Sequence, residues 1–285
     1  MHYIVLSIIC SVSVGIIFKF TRRYDTAVTQ IVAWNYVFAL LLCYLFFRPE
    51  LKISGLFANW PIYGVMSVLL PSIFLLMAAS IKYMGIVKTD AAQRLSLFIP
   101  ILAAWFIFGE GFNKLKLIGL AIGFPAILLI FLRHDTNNSN KWQYPALVLL
   151  GFGVIDVLFK QVVRSEVPYT TSLFFVFCGA LAVATGIVLF QLAVNKAAFG
   201  LINLTFGALV GIFNFGNILF YMLAHKEFAH NPSTVFASMN MGVIILGSIA
   251  GILIFREKMS RLNYTGIAMA LAAIIFITLS QIYAS

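Results

Sequence analysis

The sequence predicts an all-α integral membrane protein whose ten transmembrane helices form two inverted five-helix repeats. Three observations carry that expectation. Of 285 residues, 62% are apolar and 10% charged, and the mean hydropathy is +1.02, so lipid is the main solvent. The apolar residues gather into ten runs, each close to the roughly 20 residues that a helix needs to cross a hydrocarbon core about 30 Å thick. The second half of the chain also echoes the first. Backbone N–H and C=O groups must be paired internally in lipid, and the alternating pattern of a membrane barrel is absent, so each run is expected to be helical.

In chain order the first run covers 3–20, with neither the basic leader nor the small-residue cleavage site of a signal peptide, and is expected to be kept as span one. The runs 26–47, 60–83, 89–108 and 115–132 follow, bounded by charged and turn-forming clusters. Pro71, Pro100 and Pro125 each remove a backbone donor inside a span and are expected to kink it. The stretch 133–141, with Asp135, Asn137, Asn138, Ser139 and Asn140, has turn chemistry and reads as a linker. Beyond it come 144–163, 170–192, 204–226, 234–255 and 262–282.

Sliding the chain on itself brings Glu110 onto Glu257, Lys114 onto Arg261, Gly119 onto Gly266 and Ala126 onto Ala273. With small loop gaps, Lys82 meets Lys226 and Lys19 meets Lys160. The expected division is a first repeat at 1–136 and a second at 137–285. An odd number of spans per copy would invert the second copy, an architecture found among secondary transporters.

Two stretches carry a family likeness: Ser80-Ile81-Lys82-Tyr83 leading to Ile99-Pro100-Ile101-Leu102-Ala103-Ala104-Trp105-Phe106-Ile107-Phe108-Gly109-Glu110, and the later Ile254-Phe255-Arg256-Glu257-Lys258. These resemble the EamA-type proteins of the drug/metabolite transporter superfamily. The resemblance implies a ten-helix, two-repeat secondary carrier that exports or exchanges amino acids or other small metabolites by alternating access, in the cytoplasmic (inner) membrane of a bacterium, with both termini cytoplasmic. A multidrug or lipophilic-compound exporter, a channel and a structural bundle are the rival readings. The sequence departs from the family pattern at Arg256, where a glycine usually precedes the glutamate, and at Ser80, where alanine is usual. It also lacks the span-one acidic residue that small multidrug members use for proton coupling.

Charges inside a span are costly and so are functional candidates. Asp156 and Lys160 lie one turn apart in span six: they either neutralise each other as an intrahelical pair, or Asp156 couples solute movement to a proton. Lys19 and Lys160 offer positive charge to a solute carboxylate or phosphate, or else snorkel to headgroups, and Lys82 and Lys226 invite the same two readings. Asp90 and Arg94 read as an interfacial ion pair, with Arg94 kept as a site candidate. Asn214, Asn217 and Tyr221 recur at helical spacing in span eight, with Gln93 and Asn240 in the equivalent spans four and nine, and Trp34, Asn35 and Tyr36 in span two. They line a hydrated pocket or serve as interhelical glue. Glu110 and Glu257 are expected to fix loops.

Lys and Arg number 19 against nine Asp and Glu, a net charge of +10, but the basic residues sit at the ends of apolar runs, so membrane lipid and a small-molecule solute are the expected partners and nucleic acid is not. Cys10, Cys43 and Cys178 lie inside apolar runs, and no metal, cofactor or catalytic motif is recognised. The distribution of Lys and Arg by itself favours an outside N-terminus, against the orientation that the resemblance implies. Oligomeric state is open, with a monomer the simplest case.

Overall fold

The computed structural model describes residues 2–49, 59–106, 113–131, 141–163, 167–195, 199–228 and 232–283. Eleven α-helices form among them: α1 His2–Thr21, α2 Val28–Phe47, α3 Trp60–Met84, α4 Ile86–Leu95, α5 Phe98–Phe106, α6 Lys114–Phe131, α7 Gln143–Val163, α8 Tyr169–Asn195, α9 Leu201–Glu227, α10 Pro232–Ile249 and α11 Arg261–Ile282. A π-helical turn, Ala250–Ile254, extends α10.

The expectation of ten transmembrane helices in two inverted five-helix repeats is overturned. Among the described residues six helices are long and apolar enough to cross a membrane: α1, α2, α3, α8, α9 and α11. Gln143–Phe159 and Ser238–Ile254 are shorter apolar stretches. The halves also differ in plan, because the expected span four is two short helices, α4 and α5.

The chemistry of that segment explains the break. Gly85 ends α3 at φ +90°, a conformation open to glycine, and the chain restarts at once as α4. Within ten residues α4 carries Lys88, Asp90, Gln93 and Arg94, too polar a set to face lipid, and it lies inside the bundle against α7 and α10. Pro100 has no N–H for the Ser96 carbonyl; that carbonyl instead accepts from Ile99 at 2.9 Å, and the ladder is interrupted at Ser96 and Leu97. Pro100 therefore falls in the first turn of α5, where no donor is needed, rather than mid-span. Pro71 and Pro125 do lie inside helices, α3 and α6.

Two large apolar cores, with two smaller clusters where α1 meets α9 and α10, hold the described part of the bundle. The larger draws on α1, α2, α3, α7, α8 and α9, around Phe18, Tyr36, Ile73, Leu173 and Phe215. The smaller of the two cores joins α4, α5, α6, α10 and α11 around Leu95, Phe98, Ile130 and Ile274. Without a solvent-driven hydrophobic effect between helices in lipid, close backbone approach supplies much of the packing. Gly207 and Gly211, four residues apart on α9, let that helix press on the backbone of α2; a Cβ at Gly211 would stand 2.7 Å from the Asn35 carbonyl oxygen. Gly119 and Gly266, which the sequence comparison aligned, do the same for α6 against α11. The proposed linker and the boundary at 136/137 lie outside the described residues, apart from Lys141, as does Glu110.

Candidate functional site

A cavity of about 520 Å³ lies in the middle of the bundle, with α1 through α10 contributing to its wall. That volume is in the range of small-molecule sites. Phe74, Met77, Phe152 and Phe177 give the wall apolar and aromatic surface. Its polar groups come from Ser11, Gln93, Arg94, Asp156, Asn214, Asn217, Tyr221 and Asn240.

The broken helix explains how a guanidinium reaches this place. α4 stops at Leu95, and its last turn presents Gln93 and Arg94 to the cavity while Ala91, Ala92 and Leu95 are buried. Ser96 Oγ donates to the Gln93 carbonyl at 2.6 Å and closes that end of the helix. Arg94 Nη2 donates to Ser11 Oγ of α1 at 2.6 Å, and Arg94 Nε is buried without a partner. A guanidinium has five N–H donors, so most of its capacity is unused. The expected interfacial pairing of Asp90 with Arg94 is replaced by this arrangement, with Asp90 buried and Arg94 turned to the cavity and Ser11.

Asp156 stands on α7 with its side chain open to the cavity, within electrostatic reach of Arg94 and Ser96. The two charges do not close an ion pair, whereas Lys19 and Glu257 elsewhere do so at 2.9 Å. The polar stripe of α9 is anchored from behind. Asn214 Nδ2 donates to Asn35 Oδ1 of α2 at 3.2 Å, and Ser7 Oγ of α1 lies 2.8 Å from Asn217 Oδ1. Tyr221 packs edge-on against His225, with ring centroids 4.6 Å apart.

Gln93, Arg94, Asp156, Asn214, Asn217, Tyr221 and Asn240 thus meet at one cavity. The other candidates are elsewhere. Asn35 is fully buried behind the wall as the partner of Asn214, and Trp34 packs where α2 meets Gly207 of α9. Lys82 is exposed, its Nζ over the Tyr83 ring at 5.5 Å from the centroid. Lys160 belongs to α7, but its side chain is outside the described set.

Lys19 is paired with a carboxylate. Its Nζ meets Glu257 Oε1 at 2.9 Å, and the same carboxylate accepts from the backbone N–H of Ile86 at 2.7 Å and of Val87 at 3.2 Å. Glu257 therefore caps the N-terminus of α4, where unpaired N–H groups and the helix dipole favour an anion. The π-helical turn aims it there: Phe255 N–H reaches back to the Ala250 carbonyl and Glu257 N–H to that of Gly251. Gly85 and Gly251 have no Cβ to displace the carboxylate.

Sequence reasoning did not single out Ser11, Ser96, Lys116 or Tyr169 as lining residues. Isolated serines in apolar runs carry no signal of direction, and Tyr169 reads as an ordinary span-end aromatic.

The EamA-like transporter family model matches residues 1–132, the half that contains α1 to α6. An uncharacterized protein of Haemophilus influenzae is 39% identical over 96% of each chain. The chain belongs to the EamA family. A solved crystal structure of a protein superposes with a TM-score of 0.59 over 97% of this chain and 95% of that one; at 12% identity the likeness is one of fold alone. Membership of EamA, within the drug/metabolite transporter superfamily, makes the chain a multi-pass membrane transporter and not an enzyme.

Proposed function

We propose that this EamA protein is a secondary carrier that moves an amino acid or a related small, anionic or zwitterionic metabolite across the cytoplasmic membrane by alternating access, as an exporter or exchanger. One observation carries the reading: Arg94 and Asp156 face one cavity without pairing with each other. Opposite charges held apart in a low-dielectric setting favour a solute that supplies the missing counter-charge to each. Asn214, Asn217, Gln93 and Asn240 add donors and acceptors that fix its orientation, and the apolar wall takes its side chain.

The breadth of that apolar wall favours a second reading, export of lipophilic compounds. Counterflow in proteoliposomes separates the two. Saturable exchange of a labelled amino-acid and organic-acid panel supports the first; exchange confined to lipophilic cations supports the second; flux without counterflow indicates a channel and defeats both.

A further inference from the structure

Asp90 is a buried carboxyl group that the cavity does not use. It stands on α4, is 4% exposed, and its Oδ2 has no hydrogen-bond partner. That oxygen lies directly against Gly247 of α10, and Oδ1 lies 3.7 Å from where a Cβ of Gly15 on α1 would be. Ser248, next to Gly247, likewise keeps a buried Oγ without a partner.

No charged group among the described residues closes an ion pair with Asp90, and Arg94 offsets its charge only in part. The N-terminus of α4 already has its anion in Glu257, which Lys19 of α1 neutralises. Arg94 lies one turn on, but its guanidinium is engaged with Ser11 and faces Asp156 of α7. Lys88 on the same helix has its own partner, and Lys116 of α6 is at the cavity. α3 meets this turn of α4 through the Ser80–Thr89 hydroxyl contact at 2.7 Å, and α10 through Gly247. A carboxylate oxygen with no donor is far costlier to bury than the neutral acid. Among the described residues no cluster of His, Cys, Asp and Glu suits a metal ion.

We propose that Asp90 is a proton-binding site, distinct from the cavity, and that its proton is coupled to the hold of Arg94 on solute. This rests on the carrier reading of the same cavity. With Asp90 protonated, Arg94 presents its charge undiminished to an anionic group. Release of the proton puts a negative charge one turn from Arg94 and weakens that hold. By linkage, bound anionic solute strengthens proton binding at Asp90 by the same factor.

The first test needs no substrate. Infrared spectra of the full chain in nanodiscs, with ¹³C-labelled aspartate, are expected to show the carbonyl stretch of a protonated aspartic acid at neutral pH. The band is expected to vanish in Asp90→Asn and to persist in Asp156→Asn. No aspartic-acid band in the wild-type protein, or one that survives Asp90→Asn, overturns the proposal whether or not any solute is transported. In proteoliposomes, the apparent affinity for an anionic panel member is expected to fall about 5-fold or more as pH is raised past the Asp90 transition, a typical coupling, and to become independent of pH in Asp90→Asn. Retained pH dependence in Asp90→Asn overturns the coupling while leaving the carrier reading intact; absence of saturable exchange in wild type defeats the carrier reading and the coupling together, and leaves the proton site to the infrared result.

Discussion

Glu257→Ala removes three interactions at once: the ion pair with Lys19 and the two hydrogen bonds that cap α4. The side chains of Lys19 and Glu257 are 16% and 9% exposed, so the near-zero value of a surface ion pair does not apply. Removing one partner of a buried pair costs about 3–5 kcal/mol, because the remaining charge is left without compensation. For a chain of this size about 1 kcal/mol corresponds to roughly 2 °C in melting temperature, so a loss of about 6–10 °C is expected. Thermal unfolding in detergent, read by size-exclusion recovery, measures it. The double variant Lys19→Met with Glu257→Gln leaves no stranded charge and is expected to recover at least about 1.5 kcal/mol relative to the sum of the single variants. A Glu257→Ala protein that melts within about 1 °C of wild type, or additive single variants, would refute the reasoning.

Arg94→Gln keeps a donor but loses the charge, and is expected to raise the KM for an anionic or zwitterionic solute by roughly 10- to 100-fold, the worth of a charged hydrogen bond, with thermal stability nearly unchanged; a KM shift under 3-fold by proteoliposome uptake would count against the Arg94 seat. Gly211→Leu forces α9 away from the Asn35 carbonyl and is expected to cost about 1–3 kcal/mol, seen in the same melting assay. Arg256 stands at φ 51° with an exposed side chain, so Arg256→Gly relieves left-handed strain; after the entropy of the added glycine a gain of about 0.5–1 kcal/mol is expected, and a loss would show that the Arg256 side chain has a role of its own.

The fate of the expected span four shows where sequence reasoning stops. The run 89–108 has the length and overall hydropathy of a crossing, and nothing in its composition marks Ser96 and Leu97 as a break. Pro100 suggests a kink, but placing it in the first turn of a new helix depends on which carbonyl Ile99 reaches. Asp90 and Arg94 read as an interfacial pair on spacing alone; in the fold α4 is drawn inside, so one is buried against α10 and the other is delivered to the cavity. Lys19 carried a signal, a charge near a span end, that says nothing of its partner in the fold. Its counter-ion is Glu257, 238 residues on, and no local pattern announces a contact of that range.

The amino-acid sequence by itself determined the solvent, the helical state and the family of this protein: a mean hydropathy of +1.02 leaves few stable surroundings other than lipid, and lipid leaves a buried backbone few choices other than helix. It also held the polar stripe of Asn214, Asn217 and Tyr221, since helical spacing is a local property. Only the tertiary structure decided how many helices are long enough to cross, that α4 and α5 are separate, and which charges share a cavity. Those outcomes are set by close approach between distant segments, at Gly247 against Asp90 and at Glu257 on the N-terminus of α4, where the energy belongs to a pair of residues and to neither one alone.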